Sequence, residues 1–434
     1  DITVNAFHGL SGIKIEKFAL PGDDPTGKGI LVNIDTTVNN PSAIQMYMGA
    51  LTLAISYKDT LMGYVTSSNL TMVRGPQTLS MKGYLVPQST PEGLAITSEM
   101  MSRYIGNVVT DTIATGFEVK PDGINSIEWL STAVKQLKLT VPLQSPAPLQ
   151  LIKSLNLGAL GLTFTPPTAY QPATTSTGVI ANYSLPDGFG FNIAFTQVAN
   201  SFTITRGGVA VASLNSSYNP STSNMASGTL TFNLLQTPLV VDQASQTAFQ
   251  EFNRDLTVGA DLPFNVVGQA SVYANTSIGT VNLVNIPFNA STALSGLQSL
   301  ANPAPSIAAL QVVSGTTTEL TMAITVVIVN PSSISLSAGD IVLSLVYKGV
   351  ALGTVTMPNL AIVPGANTIQ ASSSINPAAS PEGMELLTLY TSGAGATVSI
   401  VGTPTSTAVE SLNLAFGALN IQTQMPGLPT KLLA

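Results

Sequence analysis

The chain has 434 residues, of which 9% are Asp, Glu, Lys or Arg and 44% are hydrophobic, and its mean hydropathy is +0.35. With no Cys and one His, it excludes disulfide frames, thiol nucleophiles, Cys-based zinc or iron–sulfur sites, and any site built on two imidazoles. A net charge of −7 argues against nucleic acid as a partner, because phosphate backbones are bound by clustered Lys and Arg.

This length predicts about three domains. The longest nearly uncharged apolar run, Leu320–Val329, falls far short of the roughly 20 residues that cross a bilayer, so no membrane anchor is expected in this chain. Asp1-Ile2-Thr3 lacks a Met, a basic n-region and an h-region, so a mature or trimmed chain is expected, with any signal peptide or anchor removed or outside it.

In chain order, Asp1–Leu10 precedes a first predicted strand, Gly12–Phe18, and resembles the closing strand of a preceding module (compare Val284–Leu294). Ile2, Val4, Ala6 and Leu10 would form an assembly strand that adds to the edge of a neighbouring copy through main-chain hydrogen bonds. Head-to-tail contacts of that kind generate an open filament. His8 beside Ser11 is the nearest approach to a base and nucleophile, but no Gly-x-Ser-x-Gly elbow occurs, and His8 is read as a turn residue.

Gly22-Asp23-Asp24-Pro25-Thr26-Gly27-Lys28 matches most of a phosphate loop. Gly29 stands where Ser or Thr should follow, and Ile30–Ile34 alternates as a strand where that loop must open a helix, so a turn between strands is expected. Asp23, Asp24 and Asp35 lack the spacing of a calcium loop and are read as solvated acids. No catalytic residue, cofactor or metal site is expected, paired carboxylates for glycoside hydrolysis included.

Leu51–Tyr57 alternates apolar and polar, as do Phe202–Thr205 and Ile341–Tyr347, which predicts antiparallel strands with one buried face. One helix is expected in each module: Leu94–Tyr104 behind Thr90-Pro91-Glu92, Ala244–Phe252 behind Asp242, and Met384–Tyr390 behind Ser380-Pro381-Glu382. The first and third modules are copies at an ungapped offset of 290. Asn40-Pro41-Ser42 recurs as Asn330-Pro331-Ser332, Tyr57-Lys58 as Tyr347-Lys348, Gly63 as Gly353, and Pro91-Glu92-Gly93 as Pro381-Glu382-Gly383. A diverged third copy lies between them, where Gly208-Val209-Ala210 reads like Gly349-Val350-Ala351 and Ala212 replaces the Gly. The modules are placed at 1–146, 147–296 and 297–434, joined by Pro-rich segments that favour extended, semi-rigid linkage. Ten of the fifteen basic residues fall in the first module.

The order Asn-Pro-Ser, a strand ending in Tyr-Lys, Gly-x-Val-Thr and a Val-x-Gly turn resembles the late-embryogenesis-abundant type 2 (LEA-2) β-sandwich. In tandem, with the Pro-Glu-Gly helix and Pro426-Gly427-Leu428, it is similar to an uncharacterised family of fungal secretory-pathway membrane proteins. That resemblance implies an all-β fold of three tandem immunoglobulin-like sandwiches and a luminal or extracellular location, and it supplies no catalytic residues.

Sequons at Asn69, Asn182, Asn215, Asn275 and Asn289 are candidate N-glycosylation sites, and Thr174-Thr175-Ser176-Thr177 a candidate for O-linked sugars. The expected function is non-enzymatic: a glycosylated, extracellular or luminal repeat subunit that polymerises with copies of itself. The alternative is the ectodomain of a fungal membrane protein, acting as an interaction or lipid-binding module.

Overall fold

The computed structural model describes residues 11–316 and 318–428. Its first module comprises β1 (Ser11–Ala19), β2 (Ile30–Asn40), β3 (Met46–Tyr57), β4 (Thr60–Met72), β5 (Gly75–Leu85), α1 (Pro91–Ile105), β6 (Thr110–Lys120), α2 (Glu128–Val134) and β7 (Lys138–Leu143). The strands form one antiparallel sheet in the order β1-β2-β5-β4-β3-β6-β7. Alternate side chains of the long strands are buried, as expected when a sheet folds over a common interior.

The middle module contains β8 (Ile152–Asn156), β9 (Ala159–Thr163), β10 (Ala173–Tyr183), β11 (Ala194–Arg206), β12 (Val209–Asn215), β13 (Asn219–Asn224), β14 (Thr229–Val240), α3 (Gln246–Val258), β15 (Asp261–Thr276) and β16 (Gly279–Ser295). The last contains β17 (Ser306–Gly315), β18 (Leu320–Asn330), β19 (Ile334–Tyr347), β20 (Val350–Ile362), β21 (Gly365–Ile375), α4 (Pro381–Thr391), β22 (Ala396–Val401), α5 (Asn413–Gly417) and β23 (Asn420–Met425). Strand for strand, β17-β18-β21-β20-β19-β22-β23 repeats the order of the first module.

The repeated motifs are turn and contact devices. Asn40 and Asn330 are buried, and each side-chain amide donates to the carbonyl four residues on, Ile44 at 3.3 Å and Ile334 at 2.7 Å. Ser42 N and Ser332 N donate back to the asparagine Oδ1 atoms, so a buried polar turn is fully satisfied. Gly63 and Gly353 repeat because a Cβ there would overlap the carbonyl of the adjacent strand, Tyr84 or Ser374. Thr90 and Ser380 cap α1 and α4, accepting from Gly93 N at 3.1 Å and Gly383 N at 3.0 Å.

Four expectations change. Thr174-Thr175-Ser176-Thr177, expected as a loop open to O-linked sugars, lies within β10, where Thr174 and Ser176 are buried. Asp242 makes no side-chain cap: a short 3-10 turn, Gln243–Ser245, separates it from α3, which opens at Gln246 and runs to Val258. Modules one and three each carry a second short helix, α2 and α5. The joints are also more than Pro-rich linkers: an isolated bridge, Leu20 to Phe189, links modules one and two, and a strand pairing links modules two and three. β9 runs parallel to β19, with Leu160 opposite Ile334, so modules two and three share a sixteen-stranded sheet.

Modules one and two share a core in which Phe18 packs edge-on against Tyr104 (5.2 Å between ring centres) and Phe189 (6.0 Å). There α1 covers the edge of β16: Asn282 N donates to Ser98 Oγ (2.9 Å) and Val284 N to Ser102 Oγ (3.0 Å). Serines four apart on one helix face thus satisfy alternate amides of an otherwise open strand.

A further regularity spans all three modules. The β3–β4 hairpin cation Lys58 meets Glu99 of α1 at 2.6 Å, Lys348 meets Glu385 of α4 at 2.6 Å, and Arg206 pairs with Asp255 of α3.

Candidate functional site

The first module is hollow. Its folded sheet encloses a cavity of about 460 Å³, whereas the matching interiors of modules two and three hold about 50 and 60 Å³. All seven strands and α2 contribute walls, and no Asp, Glu, Lys, Arg or His lines it among the described residues. The middle module fills its interior with Phe195, Phe202, Phe232 and Phe288. The third module differs from the first at matched positions: Met322 for Val32 on the second strand, and Ile400 for Ala114 on the sixth. The latter match follows from strand pairing, because Ala114 lies opposite Ile55 and Ile400 opposite Leu345.

The seam between the first and last strands also differs. In module three, Thr423 Oγ1 donates to the Pro305 carbonyl at 2.8 Å and ties β23 to the entry of β17. Pairing places Val141 at the equivalent point of β7, and its side chain has no donor to make that bond.

Two threonine hydroxyls belong to the lining. Thr112 Oγ1 donates to the Val141 carbonyl at 2.8 Å. Thr36 Oγ1 is buried without a hydrogen-bond partner among the described residues, a polar atom with capacity to bond something in the cavity.

One lining residue, Trp129, the chain's single tryptophan, is 70% exposed on the first turn of α2. Ala133 and Gln136 beside it are also exposed, so the cavity reaches solvent next to α2. This helix is short and has no side-chain cap at Ile127; it is anchored by Ser131 Oγ, which accepts from Val119 N at 3.0 Å. It lies directly on β6, where a Cβ at Gly116 would overlap the Val134 carbonyl.

A broader groove of about 720 Å³ runs between α1 and β16 and includes Glu99, Arg103, Ser98 and Ser102. Its serines are engaged with the β16 backbone and Glu99 with Lys58, which leaves no convergent set of free groups.

The sequence-derived candidates are distributed as follows. Gly22–Lys28 is a turn between β1 and β2, and Asp23 faces the middle module, accepting from Asn192 N (2.9 Å), Asn192 Nδ2 (2.6 Å) and Ser277 Oγ (2.6 Å). Burial of the Asp23 carboxyl opposes its ionisation, but these hydrogen bonds outweigh that and hold its pKa below the usual carboxylate value. Asp24 binds Thr26, and Asp35 accepts from Ser80 Oγ at 2.7 Å, so the three acids do not converge. No group of three or more His, Cys, Asp or Glu that could hold a metal occurs among the described residues. The sequon residues Asn69, Asn182, Asn215, Asn275 and Asn289 are all exposed. Asn69 adopts φ 56°, as does Asn359 at φ 48° one repeat later, so its side chain also serves a left-handed backbone position. Ile2, Val4, Ala6, Leu10 and His8 lie outside the described residues.

Composition and spacing did not reveal Thr36, Ala114 or Trp129. The one available signal was the offset of 290, which sets Val32 and Thr36 against the bulkier Met322 and the apolar Val326.

Two family models match the chain: a protein of unknown function, DUF3712, over residues 1–55 and 235–345, and a Tag1-like fourth LEA-2 like domain over residues 303–412. No curated protein matches. Among solved structures, the exo-chitosanase CsxA of Amycolatopsis orientalis aligns at 12% identity and TM-score 0.18, over 62% of this chain and 26% of that one. Escherichia coli alpha-2-macroglobulin activated by porcine elastase aligns at 8% and 0.15, over 96% and 33%. This chain thus spans about a quarter and a third of those two proteins, and likenesses so slight carry no argument. The fold, the repeated strand order and the match across the third module agree: the chain is a tandem array of LEA-2-like β-sandwich repeats of unknown function.

Proposed function

We propose that this protein is a non-enzymatic binding protein whose first module holds one apolar or amphiphilic molecule of the lipid class. The observation that carries this reading is the uncharged interior of about 460 Å³ in one repeat out of three that share a strand order. That volume lies within the roughly 300–1,000 Å³ usual for small-molecule sites.

Energetics favour an occupant. At roughly 24 cal/mol per Å³ an empty cavity of this size costs about 11 kcal/mol, comparable to the whole stability of a typical domain. The mouth beside α2 admits water, which an apolar wall binds poorly, so that figure is the upper bound of the cost. A chain of a dozen methylenes would contribute on the order of 10 kcal/mol on burial, against roughly 4–15 kcal/mol for lost freedom. Without a cation on the wall, a headgroup charge would stay at the mouth near Gln136, while Thr36 offers a hydrogen bond to a hydroxyl or carbonyl within.

The polymer expected from the sequence rests on a donor strand outside the described residues, so the binding reading takes precedence.

The test is native mass spectrometry of the purified chain, with organic extraction of the same sample and titration with a fluorescent fatty acid. Bound mass above 44.8 kDa that is extractable, or stoichiometric uptake of the probe by extracted protein, is the expected result. A bare chain that takes up no probe refutes the reading.

A further inference from the structure

Four strands of the middle module, β16, β15, β11 and β12, lie side by side in that order and turn alternate residues into its core. Their other face looks outward. Within these strands the charged residues are Arg206, the last of β11, and Asp261, the first of β15. Between those ends the outward polarity is carried by amides and hydroxyls such as Asn265, Gln269 and Ser201. Soluble domains commonly place charges on about a quarter to a third of their surface, and this face has neither sign with which to hold water or repel a neighbour.

Three of the five sequons fall on it. Asn215 ends β12 opposite Ser201, Asn289 stands on β16 opposite Val267, and Asn275 stands on β15 opposite Thr280. Each is exposed beside a buried strand neighbour: Leu214, Phe288 and Ala274. Asn275 Oδ1 accepts from Thr280 Oγ1 at 2.8 Å, a bond that uses the amide oxygen and spares the nitrogen. Asn215 and Asn289 are three strand spacings apart, roughly 14 Å, and Asn275 lies eight residues along β15 from the row of Asn289, roughly 26 Å. Three attached groups would therefore spread over the face without crowding.

The other two sequons have structural duties. Asn69 holds a left-handed backbone position that recurs at Asn359, where Ala361 stands two residues on and no sequon exists. Asn182 Nδ2, the atom that a sugar would take, donates to Ser154 Oγ at 2.7 Å.

We infer that the outward face of β16-β15-β11-β12 bears glycans, with N-linked oligosaccharides on Asn215, Asn275 and Asn289 supplying the hydration that charge supplies elsewhere. The donor is a lipid-diphosphate-linked oligosaccharide. The bond from Nδ2 to the sugar C1 forms as the bond from C1 to the diphosphate oxygen breaks; the diphosphate leaves with the electron pair and the amide gives up one proton. The hydroxyl required two residues on belongs to Ser217, Ser277 or Ser291. Transfer takes place on the unfolded chain, so the bonds of Ser277 to Asp23 and of Ser291 to Asn265 in the folded protein do not oppose it. All three acceptors lie in the middle module, so the inference is independent of the cavity reading.

The protein isolated from its own cells is weighed under denaturing conditions before and after peptide-N-glycosidase F, which leaves Asp at each freed acceptor, and the converted positions are mapped on peptides. Expected are a fall in mass on treatment and conversion at Asn215, Asn275 and Asn289. Trimming the folded protein to single sugars with an endoglycosidase should lower its solubility severalfold. An unchanged mass, conversion at fewer than two of the three positions, or conversion confined to Asn69 and Asn182 overturns the inference. So does a trimmed protein as soluble as the parent. A bare protein that associates with itself would assign the face to a second copy instead.

Discussion

Filling the cavity with the residues its sister module already uses separates a binding site from a packing accident. Ala114→Ile and Val32→Met install the counterparts Ile400 and Met322 on strands of the same order. The first change adds three carbon atoms and the second one heavy atom, all directed into about 460 Å³ of apolar space. At about 0.8 kcal/mol per buried methylene, the pair should stabilise the ligand-free protein by about 3 kcal/mol. The same atoms displace roughly four methylenes of any acyl ligand, so affinity should fall by a similar 3 kcal/mol, or about a hundredfold. Urea unfolding of extracted protein and titration with the fluorescent fatty acid measure the two effects, which must move in opposite directions. Overpacking a closed core costs about 1–3 kcal/mol instead. A double variant that is destabilised and still binds the probe like the parent would show that the space is not open in solution.

Three further outcomes concern the joints. Asp23→Ala removes the acceptor for Asn192 and Ser277 and should cost about 2 kcal/mol locally, read as about thirtyfold faster hydrogen exchange at the Asn192 amide. The Asp23 carboxyl is held below its unfolded value of about 3.9, so its contribution is complete above that pH and is lost as pH falls through the lower folded value. The protection factor at Asn192, the exchange rate corrected for its intrinsic rise with pH, should therefore fall only in acid, and a loss of protection between neutral and alkaline pH would contradict the assignment. Ser98→Ala with Ser102→Ala leaves the Asn282 and Val284 amides uncapped, and their exchange should rise about tenfold each while that of β15 is unchanged.

The local devices were legible because each is decided within a few residues. The strands announced themselves by period two, Thr90 and Ser380 by their place before Pro, and the Gly22–Lys28 turn by the strand that follows it. What escaped depends on distances no local pattern encodes. The parallel pairing of β9 with β19 joins segments more than 170 residues apart, and neither carries a mark of the other. Glu99 and Glu385 do not align at the offset of 290. They stand eight and four residues after Pro91 and Pro381, one helical turn apart and hence on the same face, so each reaches its hairpin lysine. The cavity is the sum of small differences across seven strands, two of them Ala114 and Val32, and α2 is only seven residues long without a side-chain cap.

One fold thus recurs with one hollow and two filled interiors, and the placing of the hollow copy against a filled one has an energetic logic. An empty interior costing up to about 11 kcal/mol would take most of the stability of an isolated domain of this size. Here the hollow module leans on a filled neighbour: Phe18 and Tyr104 pack on Phe189, the α1 serines cap β16, and Asp23 is held by Asn192 and Ser277. A fragment of residues 1–146 loses all of these contacts while keeping its cavity. It should be largely unfolded after organic extraction and recover cooperative unfolding when a fatty acid is added, in proportion to the logarithm of free ligand above its Kd. The corresponding piece with Ala114→Ile and Val32→Met should be more stable by about 3 kcal/mol without ligand and, its affinity being lower by a similar amount, should gain correspondingly less from each addition of fatty acid. An extracted fragment that already unfolds cooperatively at the midpoint of the full chain, and is indifferent to added fatty acid, would mean that the interior closes by itself and that the neighbouring module contributes nothing to keeping it open.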